Sequence, residues 1–391
     1  MGSPRTGPRM LTRARIAVRA TFAAHAAVAG TMGPWIPTLK SRSALDAGGL
    51  GLALAAHAAG LVVGTRVATL AFARAGRSTV RLGVPVLAGC LALLPLAADL
   101  VSLAAIWAAL GVVSGLLDVA MNIEAAAVER RAGRRLMSGM HGTWSAAMLG
   151  GAAVAAASLA GGVPVVIGLP VVAGAIAAAS FPALRWLPTA ADRSGAEPAD
   201  ARRPHRAAHI ATVALLCLVP FASFLVEGVA AEWGAVYLRE AIGAARGLAG
   251  AAVVAFSAGM AASRFAGDEL ATRHDPSFVV RVGASVGAIA LGGAVLVGGA
   301  GPALVAFVVL GLGIGPSVPL AFSAAADVGT PHRRSVLGPA VTAGYLGSIV
   351  GPMAVGFAAD RYGLRWAFAI PVAMCAVAAL GGGALRERKQ A

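Results

Sequence analysis

Residues 110–151 read LGVVSGLLDVAMNIEAAAVERRAGRRLMSGMHGTWSAAMLGG: an apolar run of helical length, a basic hairpin, and a second apolar run. The hairpin carries Arg130, Arg131, Arg134 and Arg135, while Asp118, Asn122, Glu124 and His141 sit within or beside the apolar parts. Polar groups in an apolar surrounding are costly and isolated charges cost most, so such residues face a protein interior or a water-filled path. A weaker echo of the same unit occurs at Leu310–Gly351. Used twice, an apolar helix, a basic loop and an apolar helix predict membrane-crossing hairpins in both halves of the chain.

Composition extends that reading to the whole chain. Of 391 residues, 58% are hydrophobic and only 13% are charged, against about 25% charged in a soluble protein. So few charges would not keep a globular surface wetted, and an integral membrane protein is expected. The 51 glycines suit helices packed closely in lipid, where small residues let backbones approach. A net charge of +15 suggests a nucleic-acid partner only until its placement is read. The basic residues lie between apolar segments, not on one polar face, so no nucleic acid is expected. Cys90, Cys217 and Cys375 fall in three different apolar stretches and read as small buried hydrophobes.

A spanning helix needs about 20 mostly apolar residues. Cutting at charges, prolines and glycine pairs gives twelve spans: 17–39, 49–72, 80–98, 101–126, 141–160, 163–184, 208–238, 247–268, 279–299, 302–326, 337–359 and 366–385. The cut between the third and fourth rests on Asp99 alone. With the N-terminus inside, cytoplasmic segments hold 24 lysines and arginines and outer segments six. That asymmetry places both termini in the cytoplasm. Trp35, Trp107, Trp233 and Trp366 near outer helix ends, and Trp144 and Trp186 near inner ones, read as an interfacial belt.

The run PTAADRSGAEPADARRPHR divides a first bundle, 1–187, from a second, 207–391, and reads as a cytoplasmic linker over 188–206. Across it the chain repeats. Val80-Arg81-Leu82-Gly83 recurs as Val280-Arg281-Val282-Gly283, and Gly111-xxx-Gly115 as Gly311-xxx-Gly315. Arg66 matches Arg264, Trp35 matches Trp233 and Gly142 matches Gly344, always at an offset of 198 to 202.

Twelve helices, a central linker and a six-plus-six duplication resemble the major facilitator superfamily of secondary transporters over nearly the whole chain. The Gly-x-x-x-Asp-Arg-x-Gly-Arg-Arg signature of that family has a degraded counterpart in Thr69-Leu-Ala-Phe-Ala73-Arg74-Ala-Gly76-Arg77, which lacks its glycine and aspartate. The same grammar is better kept as Gly356-Phe-Ala-Ala-Asp360-Arg361-Tyr-Gly363-Leu-Arg365. The fragments Asp118-Val-Ala-Met-Asn122, His141-Gly-Thr-Trp144 and Gly344-Tyr345-Leu-Gly347 are similar to a bacterial subgroup of the family. The resemblance implies an all-α membrane protein of twelve transmembrane helices in two pseudo-symmetric six-helix bundles. It implies a monomer in the bacterial inner membrane that moves a small-molecule substrate by alternating access, with protons as the coupling ion. An exporter of a toxic or metabolic compound is a second reading, and a non-transporting sensor a third. Gly150-Gly151 in helix 5 lacks the Gly-Pro motif usual in antiporters of the family, whereas Gly351-Pro352 stands in helix 11.

Several residues are candidates for the mechanism. Glu227, deep in the seventh span, and Asp118, in the fourth, are proton-coupling candidates, because a carboxylate there is expensive to keep charged. Asp118 and Asn122 share a helix face at i, i+4. His57, Asn122, Trp144, Tyr345 and His25 are candidates to line the substrate cavity, the histidines because a neutral imidazole titrates near physiological pH. A cluster of Asp118, Asn122 and His141 reached by Arg66 is one expected grouping. Arg66, His141, Arg74, Gly76, Arg77, Arg264 and Asp268 are gate or loop candidates. Glu124, beside the basic hairpin, reads as solvated or ion-paired.

Catalytic chemistry is not expected. Gly283-Ala-Ser285-Val-Gly287 matches the nucleophile-elbow pattern but lies inside an apolar helix with no strand before it. No GxxxxGK[ST] or HExxH motif is present. No cofactor and no metal site are anticipated.

Overall fold

A computed structural model describes residues 8–133, 136–188, 206–207, 210–326, 328–329 and 336–385. The basic hairpin's Arg134 and Arg135 and most of the expected linker lie outside the described residues. All twelve expected spans are helical: α1 (Pro8–Arg42), α2 (Ala47–Ala75), α3 (Arg77–Leu93), α4 (Leu100–Ala132), α5 (Met137–Ala160) and α6 (Val165–Leu184). They continue as α7 (Ile210–Val236), α8 (Arg246–Arg273), α9 (Pro276–Val297), α10, α11 (Leu337–Tyr362) and α12. Two of them are broken. α10 consists of α10a (Ala300–Ile314) and α10b (Ser317–Ala326), and α12 of α12a (Leu364–Ala367) and α12b (Ala369–Gly381). Pro316 and Pro371 stand at the breaks, where a ring without an N–H cannot continue the ladder. Apart from the helices and the turns that join them, the described residues form one two-residue parallel pairing of Arg206–Ala207 with Val328–Gly329.

The joints follow from local chemistry. Gly76, at φ 53°, turns the chain between α2 and α3, a conformation glycine adopts at little cost. Asp99 caps α4: its carboxylate accepts from the Ser102 N–H at 2.8 Å while Ser102 Oγ accepts from the Asp99 N–H at 3.2 Å. The Ser102 hydroxyl, which also donates to the carboxylate at 2.6 Å, and the Ser102 N–H together hold the exposed Asp99 carboxyl below its ordinary range.

The described residues form two compact units, one of 8–32, 56–155 and 163–188, the other of 33–55, 156–162 and the chain from 206 onward. The first unit is held by glycine-backed crossings. A Cβ on Gly60, Gly64, Gly111 or Gly115 would stand 2.1–2.2 Å from a carbonyl oxygen of Ala108, Val112, His57 or Leu61, so α2 and α4 touch backbone to backbone. In the second unit a Cβ on Gly259 or Gly311 would stand 2.1 or 2.3 Å from the carbonyl oxygen of Val308 or Phe256, the same close crossing made between α8 and α10a. The α1–α5 crossing, where a Cβ on Gly30 would run into the Met148 carbonyl, likewise has its counterpart in α7–α11, where a Cβ on Gly347 would run into the Phe221 carbonyl. The repeat seen in the sequence is thus a repeat of helix crossings. Gly283 and Gly287 of the false nucleophile motif belong to it, packing α9 onto Gly313 and Leu310.

The second unit includes the first turn of α2. Asp46 accepts from the Gly49 N–H at 2.7 Å, and Asp360 of α11 accepts from the Ala47 and Gly48 N–H groups at 3.0 and 2.6 Å. Three N–H groups that the helix itself leaves unsatisfied are thereby paired. Three parts of the better-kept signature copy have a task here. Gly356 brings α11 against the Ala47 carbonyl, Asp360 caps α2, and Gly363, at φ 82°, ends α11. Lys40 Nζ meets Glu240 Oε2 at 2.6 Å in the same unit. Replacing Asp360 with alanine should lower stability by about 1 kcal/mol, the worth of an N-cap. Asparagine, which still accepts, should cost less, and thermal unfolding in detergent would measure both.

Two expectations are corrected. Trp35, Trp107 and Trp233 are not belt residues but lie fully inside the helix packing, at 1%, 0% and 0% exposure. A tryptophan near a helix end packs between helices whenever a neighbouring small residue leaves room, and its position in sequence does not say which. Of the two readings of Glu124, the solvated one is corrected: it is completely buried in α4.

Candidate functional site

In the second unit α7 supplies the frame. Phe221, Phe224, Glu227, Gly228, Ala231 and Glu232 are only partly buried, while the residues between them are buried. Their spacing of three and four makes one face of the helix, with Glu227 near its middle. Facing it, Arg264 of α8 donates from Nη2 to both Glu227 carboxylate oxygens, at 3.2 and 3.1 Å. The side chains are 28% exposed for Arg264 and 16% for Glu227. Arg264 Nε also points to the Gly315 carbonyl at 3.4 Å. That carbonyl is available because the residue four positions on is Pro319, which has no N–H to give it. Phe224, one turn before Glu227, lies against Tyr345 and Phe322 with ring centroids 6.1 and 6.2 Å apart. Gly344 makes room for the Phe224 ring, since a Cβ there would sit 2.6 Å from it.

In the first unit the polar centre is His25 of α1, 7% exposed. Trp144 Nε1 donates to His25 Nδ1 at 3.1 Å, so the neutral ring carries its proton on Nε2. Asp118, His57 and the Ser114 carbonyl lie in its neighbourhood. Asn122 Nδ2 donates to the Asp118 carbonyl at 2.8 Å and reaches Oδ1 at 3.5 Å. His141 stands edge-on to Phe22 at 5.4 Å. Asp118 and Asn122 thus share a face as expected.

The remaining candidates are placed as follows. Arg66 and Arg74 are exposed, and Arg77 is half-buried at the start of α3. Asp268 belongs to α8, but its side chain lies outside the described ones. Sequence reasoning grouped Arg264 with Asp268, four residues on, and did not find its contact with Glu227, 37 residues away. It also passed over Phe224, although a ring at i−3 from a buried acid was available as a signal, and Pro319, the origin of the free carbonyl. Among the described residues no three histidine, cysteine, aspartate or glutamate side chains come together as metal ligands.

These helices and this part-buried ion pair can be set beside known proteins. The Major Facilitator Superfamily model matches residues 215–390. An uncharacterized MFS-type transporter of Yersinia pestis is 29% identical over 340 residues, covering 86% of each chain. An uncharacterized transporter of Sinorhizobium fredii is 32% identical over 289 residues, 71% of this chain and 72% of that one. Among solved structures, a mutant form of the nucleoside transporter NupG superposes with a TM-score of 0.73 at 12% identity, covering 96% of this chain and 99% of that one. The xylose transporter XylE from E. coli, in a partially occluded inward open conformation, gives 0.70 at 14% identity, covering 95% and 97%. Likeness at such identities is one of fold, and it agrees with the repeated crossings described above. Identity and coverage to the Sinorhizobium relative carry the kinship further: the chain is a multi-pass membrane protein belonging to the major facilitator superfamily.

Proposed function

We propose that the protein is a proton-coupled secondary transporter moving a small solute by alternating access across the bacterial inner membrane, with both termini in the cytoplasm and bundles at 1–187 and 207–391. The observation that carries the reading is the Glu227–Arg264 pair, a titratable acid and a permanent cation held together inside a membrane-spanning bundle. An ion pair there is not needed for stability, since well-packed apolar residues serve as well or better. Its presence there fits a group that changes charge during the cycle. The buried His25–Trp144 hydrogen bond is a second polar site within the helices. The 24-to-6 placement of basic residues supports the orientation, and the structural neighbours include a D-xylose-proton symporter.

The test is proteoliposome transport. Glu227→Gln is expected to abolish accumulation driven by a pH gradient while leaving counterflow exchange, because the amide keeps a hydrogen-bond acceptor but no longer takes up a proton. Asp118→Asn run beside it separates the two candidates. Unchanged accumulation in the Glu227 variant removes it as the coupling group.

A further inference from the structure

We infer that the solute is a small carboxylate with an apolar or aromatic body, and that Arg264 receives its carboxylate in the place Glu227 now holds. The inference rests on the transport reading above and adds the substrate class. Three observations carry it.

The first is the quality of the ion pair. A well-made guanidinium–carboxylate contact is a fork of two parallel bonds at about 2.7–2.9 Å. Here a single nitrogen, Nη2, serves both oxygens at 3.1 and 3.2 Å. The pairing is long and one-sided, and a ligand carboxylate that engages the fork can displace it.

The second is the asymmetry of the two partners. Arginine is not deprotonated in proteins, whereas a carboxylate becomes neutral by taking one proton. Opening the pair by protonation leaves a cation in need of an anion. Opening it towards a cationic solute would leave Arg264 charged and uncompensated, which a part-buried site resists. Arg264 is also the more exposed of the two. The step balances: one proton moves to the Glu227 carboxylate, one solute anion binds Arg264, and both leave on the other side, so the turnover is electroneutral. A single guanidinium neutralises a monocarboxylate, while a phosphate, at about −1.5 to −2, would be left under-compensated.

The third is the wall beside the pair. Phe224, one turn from Glu227, with Tyr345 and Phe322, offers ring faces and edges to an apolar body. The Gly315 carbonyl that Arg264 already touches holds the guanidinium in place from behind.

The experiment uses the full-length protein in detergent, with benzoate as the probe and benzamide as its neutral isostere. Benzoate should raise the thermal midpoint and benzamide should not. Glu227→Gln, which removes the internal competitor's charge, should bind benzoate about tenfold more tightly, the ratio for a competitor worth ~1.4 kcal/mol. Arg264→Lys should lose most of the shift. Because that variant could fold poorly, the doubly neutral Glu227→Gln/Arg264→Gln protein serves as well, with no uncompensated charge left, and it should lose benzoate binding while unfolding cooperatively. Equal shifts with benzoate and benzamide, no shift with either, or a benzoate shift that survives in the doubly neutral protein would each overturn the carboxylate assignment. A sugar or nucleoside that is bound and accumulated in proteoliposomes would overturn it too and leave transport standing. Arg264-dependent benzoate binding without flux above that of protein-free vesicles would instead remove the transport reading and leave the site.

Discussion

Alanine in place of Gly111 is expected to destabilise the protein by about 2 kcal/mol, although alanine is the better helix former. Inside a helix the exchange of glycine for alanine gains about 1 kcal/mol. Against that stands the crossing. The added methyl would lie 2.1 Å from the His57 carbonyl oxygen and 2.9 Å from the Leu61 nitrogen. Both are backbone atoms and cannot swing aside, so α2 and α4 must part by more than an ångström. Parting them also loosens the contacts at Gly60, Gly64 and Gly115, and overpacking of this kind costs about 3 kcal/mol. The sum therefore has a definite sign. Gly311→Ala should behave alike, since its methyl would meet the Phe256 carbonyl at 2.3 Å. Gly150→Ala and Gly293→Ala, where nothing lies within 4 Å, should be neutral or stabilising. Thermal unfolding of the four variants in one detergent measures the contrast. If Gly111→Ala unfolds no earlier than Gly150→Ala, backbone-to-backbone crossings are not what holds the first unit.

That contrast also shows what is readable before a structure is known. The twelve spans are legible because a lipid-facing helix must be apolar over its whole length, so the pattern is long and redundant. Gly111-xxx-Gly115 and Gly311-xxx-Gly315 are legible as a repeat because close approach tolerates only the smallest side chains, and that constraint fixes residue identity. Trp35, Trp107 and Trp233 are misread because a ring at a helix end looks the same in sequence whether it faces headgroups or a neighbouring helix. The breaks at Pro316 and Pro371 are written in the sequence, but proline also occurs inside unbroken helices here, at Pro34, Pro170 and Pro352, so proline alone does not mark a break. The candidate site is half legible. Glu227, Arg264, His25 and Trp144 each stand out as polar or aromatic residues in apolar runs. Their pairing does not, because partners on different helices carry no shared period.

Alanine at Arg264 should be among the most damaging single changes in the chain, and alanine at Glu227 should largely rescue it. Removing the arginine leaves the Glu227 carboxylate in a site where only 16% of the side chain meets solvent. Breaking such a pair from one side costs about 3–5 kcal/mol, because the remaining charge loses its counter-ion and is not rehydrated. Glu227→Ala strands the guanidinium instead, which is 28% exposed and keeps the Gly315 carbonyl but, unlike a carboxylate, does not shed its charge. The double variant strands neither charge. Residues in direct contact show coupling of about 0.5–3 kcal/mol in such cycles, and this pair should fall in the upper part of that range. Chemical or thermal unfolding of the four proteins gives the coupling term directly. Additive losses would mean that the two side chains are neighbours without being energetic partners, and the charge-switch mechanism would lose its footing. Strong coupling, combined with a double variant that folds well yet transports nothing, would assign the pair to the transport cycle. Stability alone does not account for a part-buried ion pair that the folded protein can do without.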